Sequence, residues 1–167
     1  MKNCIYEPVF GLFLLFNFQI DSALTFSSRL TDELINKIWE KGRKDPKYHP
    51  DFVRKDACGA WIIKDKYNDR DSIYGWEVDH IYPESKLKEL GVPQDLIDNI
   101  ANLRPLNWKN NVSKSSDYPH YQAKMKADVI NDSEGKAEDF NVECADEKEI
   151  NANVQHRIEE LFKGYRL

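Results

Sequence analysis

Leu30, Leu34, Ile35, Ile38 and Trp39 recur at the spacing of one face of an α-helix, with polar or charged residues between them. That pattern predicts a helix over residues 31–42. Thr31 is the expected N-cap, Asp32 and Glu33 complement the first turn, and Gly42 is the expected stop. Residues 43–56 are polar, contain Pro46 and Pro50, and read as loop. A short apolar strand over 60–63, a turn over 68–71 and a second strand over 73–81 together predict a hairpin. Pro83 ends it. Two short helical segments follow, one over 85–90 closed by Gly91, the other over 93–100 with Leu96, Ile97 and Ile100 turned inward. A brief strand over 103–106 leads to Asn107, which can cap a helix running to Ser115. Beyond Pro119 the pattern loosens, with one further strand expected over 142–145. Ile150, Val154, Ile158, Leu161 and Phe162 mark a C-terminal amphipathic helix. The expected fold class is α+β.

The 167 residues suit one globular domain, and 41% hydrophobic with 32% charged residues excludes a disordered or fibrous chain. The three cysteines, Cys4, Cys58 and Cys144, are far apart and form no CxxC pair, which argues against a disulfide framework or a cysteine zinc knuckle. The net charge of −5 speaks at first against nucleic acid. From Asp128 onward, however, lie eleven of the 29 acidic residues and only five of the 24 basic ones. The first 127 residues therefore carry 18 acids and 19 bases, and can present a basic face to phosphate.

Residues 9–18 form an apolar run, shorter than the roughly 20 residues of a membrane-spanning helix. Three readings stay open: a signal or anchor segment, an apolar element of the domain, or sequence upstream of the natural start. The chain divides into an apolar N-terminal segment (1–28), a central domain (29–127) and an acidic C-terminal extension with its helix (128–167). No membrane-embedded domain is expected. The expected location is cytoplasmic, or secreted or membrane-associated if residues 1–25 are a signal segment.

The chemistry-bearing residues lie in WEVDHIYP and NLRPLNWKNNVSKS. On a strand Asp79 and His80 point to opposite faces, so one can hold a metal while the other serves a reacting atom if the strand end bends. Asn111 and Lys114 share a helix face at i and i+3. An Asp carboxylate with an Asn amide oxygen makes the sparse oxygen site that Mg²⁺ accepts. His80 has the side chain that titrates near neutrality and suits a general base. A base, a metal and a cation (Lys114 or Arg104) for phosphate are the parts that hydrolyse a phosphodiester. Asn110 is the alternative ligand if the helix register slips by one. His49 and His156 read as solvent-facing, His120 has no partner in sequence, and Trp61 and Trp76 read as core or half-core. Lys41, Arg43, Lys44, Lys47, Arg54 and Lys55 read either as DNA-backbone contacts or as solvated charges.

At these residues the chain resembles the HNH endonuclease family, including the HNH domain of RNA-guided CRISPR nucleases. The motif core spans about 40 residues, and a looser likeness to stand-alone bacterial HNH proteins covers roughly residues 30–119. The resemblance implies a ββα-metal finger embedded between flanking helices and metal-dependent DNA cleavage leaving 5′-phosphate and 3′-hydroxyl ends. It implies His80 as general base, Asp79 and Asn111 as metal ligands, Asn102 as the brace of the loop after the first strand, and Lys114 as a basic residue near phosphate. Arg104 and Lys109 join Lys114 as expected substrate contacts. Asn at the last motif position makes this an HNN-type variant and favours Mg²⁺ or Mn²⁺ over Zn²⁺, with one ion expected. DNA is the expected partner and RNA the lesser one. The alternative is an HNH-fold module that grips nucleic acid without cutting it.

Overall fold

Thr31 Oγ1 accepts a hydrogen bond from Leu34 N at 3.2 Å and so starts α1 (Asp32–Trp39) in the computed structural model. The structure describes residues 30–131 and 137–167; the apolar segment over 9–18 and Cys4 lie outside the described residues. Residues 31–167 cluster as one compact unit. α1 ends three residues before Gly42 and buries Ile38 and Trp39.

The chain after α1 departs from the sequence expectation. β1 (Val53–Lys55) pairs antiparallel with β2 (Trp61–Ile63), so the stretch read as loop supplies the partner of the first strand. The reason lies in Arg54. Its side chain is 4% exposed, and its guanidinium donates to the carbonyls of Pro50, Glu40 and Gly42 at 2.7, 2.7 and 3.1 Å. A charged residue that satisfies backbone acceptors inside the fold carries no apolar periodicity to read. β3 (Trp76–His80) pairs instead with β4 (Leu103–Asn107), in the register Trp76 with Asn107 through His80 with Leu103. The segment entering β3 passes so close to residue 69 that a Cβ at Gly75 would lie 1.7 Å from the Asp69 carbonyl oxygen. Only glycine fits there.

Between β3 and β4 lie two short helices, α2 (Glu84–Glu89) and α3 (Gln94–Ile97). Gly91 closes α2 at φ +72°, as its position suggests. Ile97 is buried, but Ile100 is 37% exposed and does not turn inward. Asn107 caps α4 (Trp108–Lys114) by accepting from Lys109 N at 3.0 Å. Beyond Pro119 stands a long hairpin, β5 (His120–Asn131) with β6 (Ala137–Glu149), where the sequence suggested only a short strand. Its buried positions, Tyr121, Ala123 and Met125, do alternate, but Ala123 is small and the intervening residues are polar. The hairpin crosses the boundary expected at 127/128, so the acidic extension is no separate part. Asn141 ties β6 to β2, accepting from Trp61 N at 2.7 Å and donating to Trp61 O at 2.7 Å. α5 (Ala152–Leu161) follows, with Ile158 and the adjoining Phe162 buried. The described chain is thus α+β, with helices and three two-stranded antiparallel sheets. No helix among the described residues is long and apolar enough to cross a membrane.

One core cluster joins Cys58, Ile81, Leu87, Ile97, Tyr121 and Phe162. Trp39 and Trp76 pack with ring centroids 5.3 Å apart, and both Trp61 and Trp76 are buried. Burial pushes the Cys58 thiol up to about 12, with Asp56 nearby adding to the shift. Because the thiolate is the reacting form, alkylation at pH 8 should modify the partly exposed Cys144 at least ~10 times faster than Cys58. Peptide mapping by mass spectrometry measures both rates, and equal rates would show that the Cys58 pocket opens readily.

Candidate functional site

β3 and α4 present their polar residues to each other. Asp79 and Glu77 share one face of β3 by the two-residue alternation, and Asn111 and Lys114 share one face of α4. Asn111 Nδ2 donates to Glu77 Oε2 at 2.8 Å, and Lys114 Nζ lies 3.0 Å from Asp79 Oδ1. These two contacts bring Asp79 and Asn111 to the same strand–helix junction. Arg104, directly across the sheet from Asp79, donates from Nε to Asp79 Oδ2 at 2.7 Å. Glu77 also receives Arg70 Nε at 2.5 Å on its other oxygen.

Lys114 is only 1% exposed. Its ammonium is enclosed between Asp79 and the carbonyl oxygen of His80, which it reaches at 2.9 Å. Burial pushes its pKa below the ordinary lysine range, against the pull of Asp79. So placed, it locks the end of β3 and is not offered to a phosphate arriving from solvent. Arg104 is buried as well, with its guanidinium carbon 5.2 Å from the Tyr121 ring centre. Lys109 lies at the surface edge, 3.0 Å from Glu143 on β6.

His80 takes different partners from its neighbour Asp79. Its Nε2 lies 2.9 Å from Asp98 Oδ1, and its Nδ1 is 3.9 Å from Glu84 Oε2. Gln94 donates to both of those carboxylates, to Glu84 and to Asp98, each at 3.1 Å. α2 and α3 therefore hold a carboxylate collar around the imidazole. In the tautomer in which Nε2 donates to Asp98, Nδ1 carries the lone pair.

Asn102 is fully buried just before β4. Its Oδ1 accepts from Tyr82 N at 2.8 Å, and its Nδ2 donates to Tyr82 O at 3.2 Å and to Ile97 O at 3.1 Å. The backbone two residues beyond His80 is thereby fastened at both its polar groups. Asn110, the alternative ligand, points the other way. It is fully buried, donates to Asp56 Oδ2 and Met125 O, and accepts from Lys124 N and Met125 N. Its amide is consumed in joining α4 to β5, which leaves Asn111 as the residue of the pair that faces Glu77.

Three participants escape a reading of the sequence alone. Glu77 could have been found from its two-residue spacing to Asp79. Asp98, 18 residues after His80, has no such signal. Nor has Asp56, whose carboxylate accepts from Cys58 N, Ala60 N, Asn107 N and Asn110 Nδ2 at 2.8–3.0 Å. Burial raises its pKa, and the hydrogen bonds from Asn110, Asn107 and Ala60, with the Arg104 charge, pull it back.

Among the described residues no group of three or more His, Cys, Asp and Glu side chains is placed to hold a metal ion. A cation here would therefore need the Asn111 amide beside the carboxylates of Asp79 and Glu77. That donor set is all oxygen, as a hard divalent cation requires. An ionised carboxylate offers about four acceptor positions, and Asp79 gives one on each oxygen to Arg104 and Lys114. The residues present fit such an ion by donor chemistry. Comparison of the chain with protein-family models, curated proteins and solved structures returns no match.

Proposed function

We propose that the chain is a metal-dependent endonuclease of the HNH type that hydrolyses DNA phosphodiester bonds. The observation that carries this reading is the junction at which β3, β4 and α4 gather Glu77, Asp79 and Asn111, with His80 at the end of the same strand. In this reading strand, strand and helix are the ββα-metal finger, with α2 and α3 inserted between its strands. Asp79 and Asn111 hold one Mg²⁺ or Mn²⁺, and Glu77 stands next to them. A bound divalent cation supplies neutralisation of the charge that develops on the phosphate. His80 accepts a proton from the attacking water, and Asp98 fixes its ring and favours the tautomer that leaves Nδ1 as the acceptor. Asn102 keeps the loop after His80 in place. Lys114 and Arg104 act from behind, holding Asp79, while Lys109 is the basic residue at the surface.

A second reading is supported by a specific contact. Both Asp79 oxygens already carry a protein cation, which suits a module that binds nucleic acid without cutting. Supercoiled plasmid separates the two. The nuclease converts it to nicked or linear DNA with Mg²⁺ or Mn²⁺, and EDTA stops the conversion. Cleavage that persists in EDTA removes the metal from the proposal. DNA binding with no cleavage in any divalent ion selects the silent module.

A further inference from the structure

A cavity of about 410 Å³ opens between the turn after α1, the strand β4 and helix α5. Five cationic side chains line it: Lys41, Arg43, Lys55, Arg104 and Arg157. Two carboxylates oppose them. Asp56 has its oxygens occupied by four N–H donors of its own surroundings, and Glu149 is exposed and accepts from Gln155. Lys55 is committed to Asp45 at 3.0 Å and to the face of Trp61. The Lys41 ammonium turns onto the carbonyls of Ile100 and Leu103. Arg43 and Arg157 have no carboxylate partner among the described residues. Arg104 is nine-tenths buried, and its Nη2, itself buried, has no hydrogen-bond partner among the described residues. That nitrogen is sealed from solvent, so Arg104 lends the cavity wall its charge rather than an open N–H.

We infer that this cavity is a phosphate-binding site, in which the exposed guanidinium groups of Arg43 and Arg157 take the phosphate of a nucleotide or of a nucleic-acid strand end, with the buried charge of Arg104 behind them. Guanidinium forks match phosphate oxygens in pairs, and two of them on one cavity wall, with the buried charge of Arg104 behind, favour a dianion over a carboxylate. The volume admits a small ligand. Burial brings the Lys41 ammonium down to about 8, with the charges of Arg157 and Arg104 adding a smaller share. The site does not depend on the nuclease reading. It touches that reading only through Arg104, whose Nε holds Asp79.

The test is calorimetric titration of the full chain in EDTA, so that cleavage plays no part. The probes are inorganic phosphate, a deoxynucleoside 5′-monophosphate, the matching nucleoside, and a short oligonucleotide with and without a 5′-phosphate. Saturable one-site binding of the phosphate-bearing probes, and none of the nucleoside, is expected. Arg43→Ala and Arg157→Ala, both at exposed positions that folding tolerates, should each weaken binding at least ~10-fold. Lys44→Ala, exposed and outside the cavity, should leave it unchanged. Preference for the 5′-phosphorylated strand identifies a strand end as the source, and preference for the mononucleotide identifies the free ligand. Absence of saturable binding, or equal weakening by all three variants, overturns the site.

Discussion

His80→Ala is expected to lower the rate of plasmid cleavage by ~10²–10⁴-fold while the protein stays folded, the contribution typical of a positioned general base. The ring meets the carboxylates of Asp98 and Glu84, so its loss should leave the melting temperature within a few degrees of the parent. DNA affinity should also persist, because an imidazole that serves the attacking water adds little to ground-state binding. Initial rates on supercoiled plasmid, with fluorescence anisotropy for affinity, measure the two effects separately. A variant that nicks at the parental rate would take His80 out of the chemistry. One that loses affinity and rate together would make it a binding residue.

The largest effect on stability should come from Asp56→Ala. The carboxylate is 2% exposed and accepts four hydrogen bonds, from Cys58 N, Ala60 N, Asn107 N and Asn110 Nδ2. Alanine would strand all four donors inside the protein, at about 1–3 kcal/mol for each one that water cannot reach. A loss of about 4 kcal/mol is expected, a large share of the roughly 5–15 kcal/mol that holds a typical domain. Two of those donors lie at the start and middle of α4, so the helix carrying Asn111 and Lys114 should loosen first. Urea unfolding gives the number. A loss below 1 kcal/mol would mean that water substitutes for the carboxylate, and that α4 is held mainly by the Asn110 bridge to β5.

Elements with local signals were legible in the sequence. Thr31 and Asn107 announce their helices because a cap is a contact within three residues, and Gly91 closes α2 because the turn there needs a positive φ. Asn102 and His80 could be singled out by motif. Their partners could not, since Asp98 and Tyr82 meet them only after the chain folds back. Strand pairing failed for the same reason. β2 looked like the neighbour of β3 because the two are close in sequence, whereas β3 pairs across a loop holding two helices. Charged residues misled most. Asp56 lay in a stretch read as loop, Arg54 read as a DNA contact or a solvated charge and Lys114 as a phosphate contact, yet each is buried against acceptors or donors contributed by distant segments. Burial of that kind leaves no hydrophobic pattern behind.

Asn110 and Asn111 are the same residue type, one step apart on a helix and so rotated by about 100°. The first joins α4 to β5, and in the proposed function the second holds the metal. Natural variants or screening libraries that substitute the two would produce distinct failures, insoluble protein at one position and well-behaved but impaired protein at the other. Any scoring that pools the pair as a single asparagine motif would blur a folding requirement with the proposed functional one.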